Sequence, residues 1–353
     1  MNHQPSEAAV ALSGGVDSSM AAHLLKEAGW KIHGVHFELP SLSHDQEEKT
    51  RKVNTVAEFL NIPLQVIDIK EHFTDLVMTP FIQNYMKGLT PNPCISCNPL
   101  VKFAGLYRFI HENQLEYLAT GHYARLHNNL NNSRTSLFRG RDHKKDQSYF
   151  LHRLGQQVLS RSLFPLGEMT KDEILTRAVA LGLPSCKSKE SQEICFLGTL
   201  DYRVFLEQQT GIRAEQGLIV NREEGILGEH KGVHRFTVGQ RHGLGIASSR
   251  PYYVKEIRAP ENKIVVARKE DLYSRTVYAE DFHWLEYPSE KNCIEVLAQI
   301  RYRHKAASGL LEILSPSQVR FTFHDPQWAV TPGQSLVCYH GDQVLGGGVI
   351  TGS

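Results

Sequence analysis

The chain has 353 residues, 41% of them hydrophobic, with a formal net charge of +1 and six cysteines. That length accommodates two or three domains, each with its own core. A charge so close to zero excludes a nucleic-acid partner held by the field of the whole molecule and leaves only local basic patches for that purpose. Six cysteines are too sparse for a disulfide scaffold and are expected as reduced thiols unless they are catalytic. No run of 18 apolar residues occurs, and MNHQPSEAA lacks the basic start and apolar stretch of a signal peptide, so the sequence reads as a cytoplasmic protein with no membrane partner.

In chain order, Ala8 to Leu12 has the length and flanking of a buried strand, and Met20 to Gly29 reads as a helix closed by a C-terminal glycine. Between them lies Ser13 to Ser19, a turn through Gly14 and Gly15 that presents backbone N–H groups and a helix N-terminus suited to phosphate. Ser13, Ser18 and Ser19 add hydroxyls. Asp17 would repel a bare phosphate and makes sense there chiefly with Mg²⁺ between the two. No lysine follows the glycines, so this is not the G-x-x-x-x-G-K-[ST] loop. Lys31 to Phe37 predicts a second strand. Val53, Val56, Ala57 and Leu60 mark a helix ending before Pro63, and Leu64 to Ile69 a third strand. Phe73, Leu76, Val77, Phe81 and Tyr85 form a core stripe on a helix that Pro80 should kink or split. Leu115 to Thr120 predicts a fourth strand, followed by Gly121-His122. Alternating strands and helices imply a doubly wound parallel sheet, with Ser13 to Asp17, Phe37 and Gly121-His122 converging beyond its carboxyl edge.

After a helical stretch over Ile174 to Leu183 the texture changes. From about Gly217 the chain is glycine-rich with short alternating runs. Tyr252 to Ile257 and Lys263 to Ala267 flank a hairpin turn. Val277 to Leu285, Ile294 to Ile300, Leu310 to Leu314, Val319 to Phe323, Ser335 to Tyr339 and Val344 to Ile350 are further strands. The expected organisation is an α/β domain over 1–205, a small β-rich domain over 206–272 and a barrel-like β domain over 273–353.

Two cysteine motifs stand out. In Thr90-Pro-Asn-Pro-Cys-Ile-Ser-Cys-Asn98 the prolines are expected to hold the loop extended and expose both thiols. Its C-x-x-C could be half of a metal site, a redox pair or a coincidence; the absence of a second C-x-x-C argues against a four-cysteine zinc site. Glu190-Ser-Gln-Glu-Ile-Cys-Phe196 places Cys195 before an apolar stretch. A lone cysteine there is ordinarily a small buried hydrophobe.

SGGVDSS resembles the PP-loop of the ATP pyrophosphatase family, adenine nucleotide α hydrolase-like in fold. Together with NPCISCN, ATGHYAR, KDQSYFL, ESQEICF, TVGQRHGLGI, IRYRH and TPGQ, in this order, it resembles the tRNA-specific 2-thiouridylases along essentially the whole chain. That resemblance implies ATP binding by Ala11, Leu12, Ser13, Gly14, Gly15, Val16, Asp17 and Ser18, with Phe37 and Gly121 at the adenosine. It implies Cys97 as nucleophile and Cys195 as persulfide carrier, joined by a disulfide during turnover. Asn92, Pro93 and Cys94 would meet the wobble uridine. His122, Lys145, Asp146, Gln147, Arg301, Tyr302 and Gln334 would contact the anticodon stem-loop of the tRNA. A persulfide sulfur-donor protein is implied as second partner.

Under this resemblance, ATP with Mg²⁺ adenylates the C2 oxygen of uridine, releasing pyrophosphate, and sulfur then displaces AMP. Cys97 and Cys195, far apart in sequence, are expected on mobile loops, with Ser188 to Phe196 closing when RNA binds. Many members carry aspartate where this chain has Cys94. Cys94, Cys97 and Cys195 could therefore ligate a 4Fe–4S cluster with one open iron, and cluster and persulfide relay stand as alternatives. Cys186, Cys293 and Cys338 are taken as structural. Two other classes remain: an adenylating synthetase or amidotransferase, which has no use for paired cysteines, and a non-catalytic tRNA-binding protein, which has no use for an intact SGGVDSS.

Overall fold

Ala8, Ala9 and Val10 have no exposed surface, as expected of an unbroken apolar run in a strand covered on both faces. They are the middle of β1 (Glu7–Ala11), the central strand of a five-stranded parallel sheet. The computed structural model describes residues 6–40, 46–129, 134–187, 194–198, 200–211, 215–288 and 292–353. Its chain forms two compact units: Met1–Val77 with Cys94–Gly198 and Asp342–Val344, and Met78–Pro93 with Thr199–Gly341 and Leu345–Ser353.

In the first unit the sheet continues through β2 (Lys31–Glu38), β3 (Leu64–Asp68) and β4 (Tyr117–Ala119). A hairpin of β5 (Ala124–Asn129) and β6 (Arg134–Arg139) follows, then the short β7 (Ser162–Leu163). The order β3-β2-β1-β4-β7, parallel throughout, makes β1 the strand beside which the chain reverses its direction of growth, where α/β sheets hold ligands. Helices Val16–Glu27 and Gln46–Leu60 bury Ala22, Leu25, Val53, Val56 and Leu60 against β1 and β2. Four of the five parallel strands lie where the pattern predicted them; the two-residue β7 was not foreseen. The β5–β6 hairpin was not foreseen: its residues, ARLHNN and RTSLFR, are too polar to register as strands.

Two local expectations are corrected. The first helix begins at Val16, four residues early, so Val16, Asp17, Ser18 and Ser19 form its first turn rather than part of the preceding loop. The C-x-x-C segment is not extended: Pro93–Cys97 is α-helical and Asn98–Phe103 continues as a wide π turn. A proline at the first helical position is pre-set for that conformation, and there Pro93 starts the helix rather than preventing it. The expected break near Pro80 is present as a π turn over Thr74–Met78, before an α-helix at Thr79–Met86.

In the second unit, β8 (Gly217–Val220), β9 (Ile226–His230), β10 (Tyr253–Arg258) and β11 (Lys263–Ala267) form a four-stranded sheet in the order β10-β11-β8-β9. Its core is Ile219, Val233, Phe236, Leu244, Val254, Ile264 and Val266. Strands β12 (Tyr273–Trp284), β13 (Cys293–Gln299), β14 (Ala307–Ser315), β15 (Gln318–Trp328), β16 (Ser335–His340) and β17 (Gln343–Gly352) run in the order β12-β15-β14-β13-β16-β17. Pairing of β12 with β17 closes them into a barrel. A Cβ on Gly346 would lie 2.3 Å from the carbonyl oxygen of His283, so only glycine lets the closing strands meet there. Phe321, with no exposed surface, lies edge-on to Phe323 at 4.5 Å in the barrel core. Phe321→Ala is expected to cost about 3–5 kcal/mol, read as a lower midpoint in urea unfolding.

Candidate active site

The turn out of β1 is held by its own hydroxyls and by the neighbouring strand. Leu12 N–H donates to Val35 O at 2.8 Å, and the buried His36 ring meets Leu12 O through Nδ1 at 2.8 Å. Ser13 N–H donates to Ser18 Oγ at 3.1 Å, and Ser18 and Ser19 hydroxyls donate to Gly15 O at 3.1 and 2.9 Å. The hydroxyls therefore shape the loop. Gly14 takes φ +76°, and Gly15 leaves the helix N-terminus without a side-chain cap, as suits a helix end that is to receive an anion. Gly121 closes against this turn. A Cβ there would lie 2.8 Å from the Asp17 carbonyl carbon and the Ser18 nitrogen. Phe37, half-buried at the end of β2, packs its ring on Gly105, where a Cβ would come within 2.9 Å of it. Ala11 to Ser18, Phe37 and Gly121 are thus gathered at the carboxyl edge of β1, β2 and β4.

Asp17 is accounted for by residues the sequence did not single out. Lys171 Nζ donates to its two carboxylate oxygens at 2.7 and 2.8 Å, and the Tyr123 hydroxyl donates to Oδ1 at 2.7 Å. The expectation that Asp17 needs Mg²⁺ to explain its presence is revised, because a buried ammonium already answers its charge. Lys171 opens the helix Lys171–Ala180, whose N-cap Thr170 and Glu173 form a capping box. A lysine in a first helical turn opposes the helix dipole. That oddity was the available signal.

Cys94, Cys97 and Cys195 all belong to the first unit, and each thiol lies close enough to the others for their charges to interact. Cys97 sits on a helix, not a mobile loop, and Asn98 anchors it by donating to Phe150 O at 3.1 Å. Cys195 stands on a turn whose next residue, Phe196, is buried edge-on to Phe73 at 5.6 Å. Residues 188–193 of the segment expected to close lie outside the described residues. Burial raises the Cys94 thiol to about 11 and the Cys97 thiol to about 12, and it raises Cys195 as well; Lys102, five residues after Cys97, opposes the rise at all three. Although Cys94 and Cys195 have exposed surface, protein packs closely enough around their sulfurs to disfavour the thiolate.

Models of three domains match the chain: a tRNA methyl transferase HUP domain over 6–199, a tRNA methyl transferase PRC-barrel domain over 203–268 and an aminomethyltransferase β-barrel domain over 274–350. Curated relatives named tRNA-specific 2-thiouridylase MnmA are similar end to end. That of Acidithiobacillus ferrooxidans is 42% identical over 98% of this chain and 99% of its own length. Those of Desulforudis audaxviator and Carboxydothermus hydrogenoformans are 43% and 40% identical, each over 97% of this chain and over 98% and 96% of their own lengths. The chain belongs to the tRNA-specific 2-thiouridylase family.

The thiouridylase positions expected at the tRNA are variously placed. His122 is buried, bonded through Nδ1 to Thr120 Oγ1 at 2.7 Å and stacked on Phe103; burial, with Lys102, holds it neutral, well below the usual histidine range. Asp146 accepts from Gly140 N, Ser148 N and Ser148 Oγ, and Gln147 Oε1 accepts from Tyr123 N at 3.0 Å. Asp146 therefore spends its oxygens on its own loop and Gln147 on the segment before β5, beside the half-buried Lys145. In the second unit, Arg301 donates to Trp328 O at 3.2 Å, Tyr302 O accepts from Gln299, and Gln334 donates to Thr90 O at 2.7 Å. Asn92 and the buried Pro93 lead into Cys94.

The described residues give the cluster alternative no support. Among the described residues no three His, Cys, Asp or Glu side chains gather to hold a metal ion, and a cluster requires thiolates where burial favours thiols. Nor is any helix of the described residues long and apolar enough to cross a membrane. The raised thiols give a pH test. Iodoacetamide labelling of Cys97 should be slow at pH 7 and still climbing at about pH 10, since thiolate forms only near the raised value; a plateau near an ordinary thiol's ~8.5, followed by peptide mass spectrometry, would contradict it.

Proposed function

We propose that the chain is an ATP-dependent tRNA 2-thiouridylase that carries sulfur through Cys195 and Cys97. The observation that carries this reading is the approach of those two thiols, far apart in sequence, within the unit that also holds the Ser13 to Ser18 turn. An amidotransferase or a passive tRNA-binding protein has no need of both.

ATP would lie on Ala11 to Ser18 with its adenosine toward Phe37 and Gly121. Magnesium, held by the phosphates with Asp17, would help neutralise the charge of the leaving pyrophosphate. The uridine C2 oxygen attacks the α-phosphorus, the α–β phosphoanhydride bond breaks, and pyrophosphate leaves. What this chain supplies is position and a set of donors fixed by the Ser13, Ser18 and Ser19 bonds. The Cys195 thiolate takes the terminal sulfur from a donor protein's persulfide, and the donor's thiolate leaves. That terminal sulfur attacks C2 and the C2–O bond breaks with loss of AMP. Cys97 then attacks Cys195 Sγ, freeing 2-thiouridine and leaving a Cys97–Cys195 disulfide that a thiol reductant must reopen with two electrons and two protons. If Cys97 attacks the persulfide first, the released hydrosulfide reaches C2 and the same disulfide results. Asn92, Pro93 and Cys94 would line the uridine. His122, Lys145, Asp146, Gln147, Arg301, Tyr302 and Gln334 would be the tRNA contacts, reading a single-stranded anticodon loop with flipped base. The division at 205/206 and 272/273 is proposed as the boundary between catalytic and RNA-holding domains.

Cys195→Ala is expected to abolish thiolation of tRNA while ATP binding, tRNA binding and tRNA-dependent pyrophosphate release persist; thiolation retained in that variant would sink the relay. Protein purified without oxygen should be colourless and iron-free yet active with a persulfide donor, whereas a broad absorption near 400 nm, about that of a 4Fe–4S centre, that disappears in Cys94→Asp would assign the sulfur chemistry to a cluster.

A further inference from the structure

Loops that cradle a triphosphate commonly carry a lysine of their own for the β- and γ-phosphates. SGGVDSS has none. Nearby cations are occupied elsewhere: Lys26 Nζ bonds Leu60 O, and Lys52, whose Cβ lies beside Gly14, pairs with Glu48 one helical turn away. The structure brings a lysine to the loop from a distant helix. Lys171 is buried, and its ammonium lies on both oxygens of Asp17, the second residue of the helix that starts in the loop.

We propose that Lys171 is the phosphate-binding lysine of this site, held on Asp17 until ATP arrives and then shared with the β- and γ-phosphates. The inference rests on the nucleotide reading above and deepens it. Three features separate this role from a purely structural ion pair. First, the ammonium lies at the first turn of its own helix, where the dipole disfavours it. Asp142 answers that dipole by accepting from the Lys171 N–H at 3.0 Å. Second, the loop helix begins without a side-chain cap, so the ammonium and those first-turn N–H groups together favour an incoming anion. Third, Asp17 has a second partner. The Tyr123 hydroxyl at 2.7 Å holds the carboxylate in place when the ammonium turns toward phosphate. A lysine suits an exchange of this kind better than arginine, whose planar fork would fix itself on the carboxylate.

The test is calorimetric titration of the intact protein with ATP, AMP and inorganic pyrophosphate, each with Mg²⁺ and with chelator, for the wild type, Lys171→Met and Lys171→Arg. Lys171→Met is expected to weaken ATP and pyrophosphate about tenfold or more while AMP changes less than about twofold, since a charge-assisted contact to the outer phosphates is what is lost. Equal weakening of ATP and AMP would show that Lys171 acts only through the shape of the loop, and would overturn the proposal; so would unchanged ATP binding. If thermal melting shows that Lys171→Met does not fold, Lys171→Arg decides: ATP and pyrophosphate weakened with AMP little changed, as expected of a fork that stays on Asp17, supports the role, and ATP binding equal to the wild type's, or equal weakening of ATP and AMP, overturns it. Wild-type protein that binds neither nucleotide would overturn the nucleotide reading itself and this proposal with it, a result distinct from any of the variant outcomes.

Discussion

Everything near the nucleotide turn depends on how closely three backbone segments approach at the end of β1. The chain leaves a strand whose middle has no exposed surface, turns through Gly14 at φ +76° and enters a helix at once, while Gly121, two residues beyond β4, presses on the peptide between Asp17 and Ser18. A side chain on Gly121 would separate β4 from that peptide by more than the loop hydroxyls could tolerate. Because the approach is so close, the serine hydroxyls and His36 can define the turn with short bonds to main-chain atoms. A donor set built that way is already oriented before charge develops, which is the condition for electrostatic stabilisation without reorganisation.

The same residues explain what a sequence can and cannot convey. Strands β1 and β4 were legible because burial on both faces demands apolar runs, and a barrel strand such as β15 because one-sided burial demands alternation. The helix at Pro93–Cys97 was misread because proline at a helix start and proline in an extended loop have the same local signature, and only the neighbours distinguish them. The β5–β6 hairpin was missed for want of apolar residues. At the site, the glycines, serines and paired cysteines declared themselves by type and order. Tyr123 did not, since its partner is far away in the chain and nothing local marks it, and Lys171 showed only as a cation at a helix start, against the dipole.

The thiols are arranged for restraint rather than for standing reactivity. Burial favours their protonated forms, and Lys102, the cation that opposes burial at Cys94, Cys97 and Cys195, lies just after Cys97 on the same helical path. A persulfide carrier that ionised freely would react with adventitious electrophiles and oxidants. A carrier kept as a thiol until substrate and donor alter its surroundings does so less. The neutral, buried His122 has Lys102 as a neighbour too, so one ammonium acts on this ring as well as on the three thiols.

The barrel's connectivity has a consequence for the order in which the protein can form. Its first strand, β12, is sealed by its last, β17, and the six strands between Tyr273 and Gly352 must all exist before either edge is satisfied. On a ribosome, where segments emerge from the N-terminal side, β12 leaves the tunnel with both future neighbours, β15 and β17, still unsynthesised and must wait with unpaired main-chain groups. The α/β sheet can gather its first strands earlier, as β1, β2 and β3 are close in sequence and adjacent in space. Synthesis therefore favours a nucleotide loop assembled while the C-terminal strands are still open, and the last contacts made are those of slow, sequence-distant β pairing.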